Sequence, residues 1–208
     1  MKGYGKKDIL QGFEDIKKPP AQQKSYVEIT DSHKKSLLSY MKKDKPVFYR
    51  ITYFLIRLGW RIDETLSLKW EYIKYSGLKP VSITIPAEVR KNRKEFVLDT
   101  IDDDLANTIR ECRSNGKKSI WLFPNSKNNR FLQNHYRNYL EEISQKVIDK
   151  RLTPHDFRHS FVTSMAQKKM PIRDVMAITG HTDINVVLKY YSHSTKQGKI
   201  DVLDQTRI

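Results

Sequence analysis

Thr153-Pro154-His155-Asp156-Phe157-Arg158-His159 is the stretch on which the reading of this chain turns. Threonine followed by proline is a helix start, an N-cap residue and then proline at the first helical position. On the helix that follows, His155 and Arg158 stand three apart and share a face, while Phe157 and Phe161, four apart, face a core. His155 and His159 also show the i, i+4 spacing of a zinc-protease helix. That reading fails on detail: Asp156 does not stand in the role of the general-base glutamate, and Arg158 would set a permanent charge beside the cation. An arginine and a histidine on one face suit an anion. The guanidinium presents a planar fork to phosphate oxygens, and the imidazole adds a donor or moves a proton.

Outward from this helix the chain reads as mainly α with a small antiparallel β-sheet, an α+β class. A helix starts near Thr30-Asp31, with Leu37, Leu38 and Met41 at helical spacing. Lys45 to Trp60 is apolar all round, so a buried helix is expected, broken by Gly59. Residues 61–69 read as a short helix with Ile62, Leu66 and Leu68 inward. Gly77 to Ile85 alternates Val81, Ile83 and Ile85 as a strand does, and Phe96 to Leu98 makes a second. Arg90-Lys91-Asn92-Arg93-Lys94 lies between them as a basic turn, so the pair reads as a β-hairpin. Helices follow over 102–113, 131–149, from Thr153, from Pro171 to a left-handed cap at Gly180, and over 183–191. Trp121-Leu122-Phe123-Pro124 reads as a buried connector. Residues 1–29 read as a basic arm or linker, 30–193 as the main domain and 194–208 as a polar tail anchored by Ile200, Val202, Leu203 and Ile208.

Composition narrows the partner. The 208 residues hold 39 Lys and Arg against 24 Asp and Glu, a net charge of +15 spread along the whole chain. That distribution predicts a broad surface for double-stranded DNA more than a lipid-binding patch. No run approaches the roughly 18 apolar residues of a membrane helix, and no apolar signal segment opens the chain. The lone Cys112 excludes a disulfide framework and reads as a core thiol. A soluble protein of the cytoplasm, associated with the nucleoid, is the expectation.

Two further stretches carry chemistry-bearing residues. Arg61 stands three before Glu64 at a helix start, a spacing that a simple surface ion pair also explains. Gly180-His181 ends one helix, and Tyr190-Tyr191-Ser192-His193 ends the next. Each alone reads as capping or packing. His33 and His135 have no supporting context and read as surface residues.

Taken together and in order, these motifs resemble the tyrosine recombinase (phage integrase) family over about Thr30 to His193. Gly59-Trp60-Arg61-Ile62-Asp63-Glu64 looks like the family's Gly-x-Arg-x-x-Glu. Ile85 to Arg93 looks like its lysine-bearing hairpin. His155 to Arg158 is similar to its His-x-x-Arg, Thr179-Gly180-His181 to its Leu-Gly-His, and Tyr191-Ser192-His193 to its Tyr-x-His. Departures are Thr179 for the usual Leu and Trp60 before Arg61. Lys94 competes with Lys91 for the hairpin-lysine role. Tyr190 competes with Tyr191, and the Tyr-x-His pattern favours Tyr191. Some thirty residues before the domain are too few for the family's N-terminal DNA clamp, so a catalytic domain alone is expected.

The resemblance implies phosphoryl transfer with no metal and no ATP. Arg61 and Arg158 would clamp the non-bridging oxygens and His181 would donate to the same phosphate. Tyr191 would form a 3′-phosphotyrosine link, with His155 as base or orienter and Lys91 protonating the departing 5′-oxygen. Glu64 and His159 would support them from behind, with Asp63 an alternative partner for Arg61, and Arg90, Arg93 and Lys94 would face DNA. It also implies a homotetramer on DNA, a monomer when free, and a tail that docks on a neighbouring protomer. The competing classes are a DNA-binding regulator on a decayed recombinase fold and a type IB topoisomerase-like or telomere-resolving enzyme; a fold alone does not separate these.

Overall fold

In the computed structural model, which describes residues 27–113 and 119–191, Thr30 opens the first helix. Its Oγ1 accepts from the His33 amide at 3.2 Å, and the Thr30 amide donates to His33 Nδ1 at 3.3 Å. His33, expected at the surface without a role, is thus the returning half of a capping box. The helix, α1 (Asp31–Asp44), packs on α2 (Pro46–Leu58), the central element. α2 buries Phe48, Ile51, Phe54, Leu55 and Leu58, and its neighbours surround it as its all-round apolar sequence requires. Complete burial of a side chain such as Phe54 contributes about 1.5–3 kcal/mol. Phe54 meets Trp60 and Phe123 edge-on, and Thr52 and the Tyr136 hydroxyl bond within the same core at 2.8 Å.

The chain reverses at Gly59 and enters α3 (Ile62–Leu66), which is shorter than the sequence suggested; Leu68 is nevertheless fully buried, beside an isolated bridge between Lys69 and Trp121. A three-stranded antiparallel sheet follows, β1 (Ile73–Ser76), β2 (Lys79–Ile85) and β3 (Phe96–Leu98), in that order. The hairpin of β2 and β3 forms as expected, with Ile83 opposite Leu98 and Ile85 opposite Phe96. The sequence reading missed β1. Residues 77 and 78 are a turn, and Ile73 pairs with Ile83 across it. Four residues with a single buried Ile are too brief to show a period of two.

α4 (Asp103–Arg113) covers the sheet with Leu105, Ala106 and Ile109. Burial pushes the Cys112 thiol up to about 12, in keeping with an inert packing role. The connector buries Leu122 and Phe123 and leads into α5 (Gln133–Ile148), which packs on α1. α6 (Pro154–Gln167), α7 (Ile172–Thr179) and α8 (Ile184–Tyr191) then enclose a second, smaller core of Phe161, Val162, Val175 and Val187.

Residues 27–29, read as the end of an arm, belong to the domain. Ile29 is buried in the main core, and its carbonyl and that of Glu28 accept from Ser160 and Lys150. The rest of the arm, His193 and the 194–208 tail lie outside the described residues. No helix among the described residues is long and apolar enough to cross a membrane.

Candidate active site

The two cores meet along a seam, and the seam is stitched by arginine. Arg158, 4% exposed on α6, donates from Nη1 to Gly59 O at 2.7 Å and to Thr179 O at 2.9 Å. One guanidinium nitrogen therefore ties the turn before Arg61 to the turn before His181. Its Nη2 is enclosed with no partner among the described residues. Burial first, and then the neighbouring Arg61, bring the Arg158 pKa down to about 10, so it remains a cation at neutral pH.

Glycine is required on both sides of this seam. Gly59 has φ +62°, and a Cβ there would lie 2.9 Å from the Phe161 ring. Gly180 has φ +67°, and its Cβ would meet Arg90 Nη2 at 2.7 Å. Trp60, between Gly59 and Arg61, is buried and donates from Nε1 to Ile178 O at 2.7 Å. The Trp that departs from the family pattern thus adds a third tie between the cores.

Arg61 caps α3 and stays 41% exposed at its side chain, while Nη1 bonds Glu64 Oε1 at 3.1 Å. Glu64 is buried, and the same Oε1 accepts from Arg90 Nε at 3.2 Å. The surface ion pair suggested by spacing is present, but its acid is inside. Asp63, the alternative partner for Arg61, pairs instead with Arg130 at 3.1 Å.

Arg90 corrects the sequence reading. Expected on the DNA-facing turn, it is 3% exposed. Its guanidinium bonds Glu64, Lys94 O at 3.2 Å and Gly180 O at 2.7 Å, and lies 5.0 Å from the Phe96 ring centroid. Its length and its donors all serve the interior, so it holds the hairpin to α3 and to the Gly180 turn. Lys91, Arg93 and Lys94 are exposed on that hairpin, with Arg93 at φ 54°.

These groups line a cleft of about 920 Å³ that holds Arg61, Lys91, Arg93, His155 and Arg158 along with Arg130 and Arg137. Arg130 and Arg137 were missed by sequence reasoning. Arg137 and Gln133, which also lines the cleft, are four apart on α5, and that shared face was the available signal. His155 is exposed at the start of α6. Asp156 reaches back to cap that helix, accepting from the Thr153 amide and hydroxyl, each at 2.7 Å. Among the described residues no group of three His, Cys, Asp or Glu is placed to hold a metal.

His181 adjoins the cleft. Burial, then Arg158, Arg61 and His155, lower its pKa to about 3, so the two arginine cations act on one imidazole. Thr179 Oγ1 donates to Val175 O at 2.7 Å, so toward His181 Nδ1, 2.6 Å away, it accepts. Nδ1 then carries the proton and Nε2 a lone pair in the free protein. Nitrogen-15 shifts of labelled protein at pH 7 should show this tautomer, and a phosphate at Nε2 should raise the pKa. The unfolded chain takes up this proton near 6.5 and the folded chain near 3, so acid in that interval favours unfolding. His181→Asn is expected to show a smaller fall in Tm between pH 7 and pH 4 than the wild type; an equal fall would contradict it.

The tyrosines are arranged differently from the sequence reading. The Tyr191 hydroxyl donates to Met170 O at 2.7 Å and is not part of the cleft lining. Burial raises its pKa. Tyr190 sets its ring edge-on to His159, 4.8 Å between centroids. His159, also near Thr163, is depressed by burial first and by His155 second.

Comparison with known proteins meets this geometry here: residues 28–198 match the family model described as the phage integrase family. The chain belongs to the phage integrase family. The chain is 25% identical to tyrosine recombinase XerA of Pyrococcus furiosus over 96% of the chain and 69% of that protein. It is 24% identical to a tyrosine recombinase of Thermosipho africanus, covering 92% of the chain and 65% of the relative. It is 26% identical to the transposase from transposon Tn916 of Enterococcus faecalis, covering 80% of the chain and 48% of the relative. The chain thus spans between about half and about two thirds of the length of these curated relatives. Its fold is that of the Tn1549 transposon integrase in complex with circular intermediate DNA, with TM-score 0.71, 18% identity, and coverage of 89% of this chain and 69% of that one. A crystal structure of XerA recombinase is similar too, with TM-score 0.65, 20% identity and coverage of 91% and 67%.

Proposed function

We propose that this chain is the catalytic domain of a site-specific recombinase that cuts and rejoins double-stranded DNA through a 3′-phosphotyrosine intermediate, with neither metal nor ATP. The observation that carries the reading is the convergence of Arg61, Arg158 and His181. Each of the two arginines lowers the pKa of that histidine, so an anion placed among them relieves the repulsion of all three. A scissile phosphate is such an anion, and its charge grows in the transition state.

The steps follow from the groups. Arg61 is exposed enough to meet a non-bridging oxygen, and Arg158 Nη2 is the unpartnered donor behind it. His181 gains a proton at Nε2 as the phosphate arrives and donates to it. The Tyr191 oxygen attacks phosphorus and passes its proton to His155. The bond from phosphorus to the 5′-oxygen breaks, and Lys91, on the exposed hairpin, protonates the departing oxygen. Attack by another 5′-hydroxyl reverses the sequence, so the bond energy is retained. Tyr191 must first leave the Met170 carbonyl, and DNA supplies the cause by drawing the phenol toward the cations. A second reading has its own observation: Tyr190 sets its ring edge-on to His159, the residue that follows Arg158.

Arg93, Lys94, Arg130 and Arg137 would neutralise flanking phosphates. The working assembly would be a homotetramer around two duplexes, with 194–208 docked on a neighbouring protomer, and the site of action the nucleoid of the cytoplasm.

Covalent trapping on a nicked duplex carrying a candidate site tests this. Wild type is expected to form a protein–DNA adduct, Tyr191→Phe to form none, and Tyr190→Phe to retain it. Loss only in Tyr190→Phe moves the nucleophile by one residue. DNA binding with no adduct in any form favours a binding protein, and relaxation of supercoiled DNA without a specific site favours a topoisomerase.

A further inference from the structure

α5 separates two clefts. Gln133 and Arg137 line the one just described, while His135, Asn138 and Tyr139 line a second, of about 930 Å³, bounded also by the start of α2 and the connector. Nothing in the proposed strand-transfer reaction uses this second cleft.

Arg50 of α2 lines it and is 9% exposed. Its Nε is enclosed with no partner, and no ion pair or hydrogen bond reaches its guanidinium from any described residue. Arginine is rarely buried unless it is paired. Ser114 to Lys118, which follow α4 in the sequence, include no carboxylate. The acid of the cleft, Glu142, is exposed and acts on Lys146 one turn along. Among the described residues no ion pair answers the charge at the Arg50 guanidinium, although Glu111 of α4, like Arg50, acts on the Cys112 thiol.

The surroundings add to it. α2 starts at this cleft with Lys45 as its N-cap, α5 starts there with Leu132, and neither start has a side-chain cap. Two helix N-termini thus bring partial positive charge to the same place. Lys127 brings a full charge to the lining. Around the charged part the walls are apolar: Trp70, Trp121 and Phe131 line the cleft, and Leu132 is 64% exposed on it.

This pairing of an enclosed cation with an uncovered apolar wall selects among anions. A DNA duplex presents sugar and phosphate to its partner and would leave the rings and Leu132, 64% exposed, without an apolar contact. A free anion would leave Leu132 and the rings uncovered. A flexible acidic side chain with an apolar neighbour satisfies both. We propose that this cleft is a docking site for an acidic peptide segment of a partner protein, with an Asp or Glu carboxylate on Arg50 and an apolar side chain against Leu132 and Trp121.

The three tryptophans provide the readout, because Trp70 and Trp121 line this cleft and Trp60 lines the DNA cleft. The full-length, nitrogen-15-labelled chain is titrated with the peptide acetyl-Leu-Glu-Asp-Leu-Phe-Glu-amide and with its Gln/Asn twin. The acidic peptide is expected to shift the Trp70 and Trp121 indole signals saturably and leave Trp60 in place. The twin, Arg50→Met and Leu132→Asp should each bind at least about tenfold more weakly. Arg50→Met is expected to keep the wild-type Tm or exceed it, because it removes an unpaired buried charge, and to leave DNA cleavage unchanged; the exposed Leu132→Asp answers for binding if Arg50→Met does not fold. The proposal is overturned by equal binding of the twin or of both variants, by no shift up to roughly 5 mM peptide, or by a response of Trp60 alone. It is overturned in favour of a free-anion site if inorganic phosphate moves the same two signals and displaces the peptide. It is overturned in favour of the chain's own C-terminal segment if a chain ending at residue 193 binds the peptide and the full chain does not.

Discussion

Arg158→Lys is expected to retain less than about one-thousandth of wild-type strand cleavage on the nicked duplex, since removal of a single preorganised donor to a developing oxyanion costs roughly 10²–10³ in rate and this change removes a fork as well. The geometry explains why lysine does not substitute. Nη1 of Arg158 is spent on Gly59 O and Thr179 O, and Nη2 is the donor left for substrate. An ammonium that keeps the two carbonyls has no second nitrogen to offer. The protein should stay folded, because one of the two structural bonds can persist, and DNA binding should fall far less than cleavage. If Arg158→Lys cleaved at a tenth of the wild-type rate or better, the assignment of Nη2 to the scissile phosphate would fail. Single-turnover adduct formation, with binding measured in parallel, separates the two effects.

Glu64→Gln is expected to have the largest effect on stability. The Glu64 carboxylate, 4% exposed at its side chain, is shared by Arg61 and Arg90, and the Arg90 side chain is 2% exposed. Neutralising Glu64 leaves the buried Arg90 charge without its anion, and breaking a buried pair from one side costs about 3–5 kcal/mol. For a chain of this size that corresponds to a fall in Tm of roughly 6–20 °C. The double variant Glu64→Gln with Arg90→Met removes both charges and should recover most of the loss. It should not recover cleavage, because Lys91 would lose the anchor of its hairpin and Arg61 its orienting partner. A double variant as unstable as the single one would show that Arg90 contributes through its bonds to Gly180 O and Lys94 O and not through its charge. Thermal melts of the three proteins decide this.

Much of the fold was legible because it rests on periodicity and caps. α2 announced itself by an apolar run between Pro46 and Gly59, and α6 by Thr153-Pro154. The hairpin of β2 and β3 was legible because Val81, Ile83 and Ile85 alternate. β1 was not, since its partner across the turn at residues 77 and 78 supplies the pairing that its own four residues do not advertise. The end of the arm was misread for a related reason: Ile29 is one apolar residue without a period, and only the packed core shows it to be inside.

The candidate site divides along the same line. Spacing alone read each motif as capping, packing or a surface ion pair; it was the resemblance of their order to the family's motifs that nominated Arg61, Lys91, His155, Arg158, His181 and the tyrosine pair. Whether a named cation faces solvent or interior is not local. Arg90 and Lys91 are neighbours in the chain, yet one is bound into the seam and the other is exposed, according to which carbonyls and carboxylate the other core brings within reach. Arg50 and Arg158 are both buried arginines with an unpartnered nitrogen, and they line different clefts because α2 and α6 pack with different neighbours. The tyrosines follow the same rule: the sequence places two phenols at the end of α8, and the fold decides which of them is tied to the Met170 carbonyl. The sequence by itself determined the helices and the β2–β3 hairpin and the chemical groups they carry, since caps and periodicity depend on near neighbours in the chain. Only the tertiary structure decided which charges are spent on the protein and which remain for a ligand, since that depends on polar atoms brought together from distant parts of the chain and on the water excluded between them.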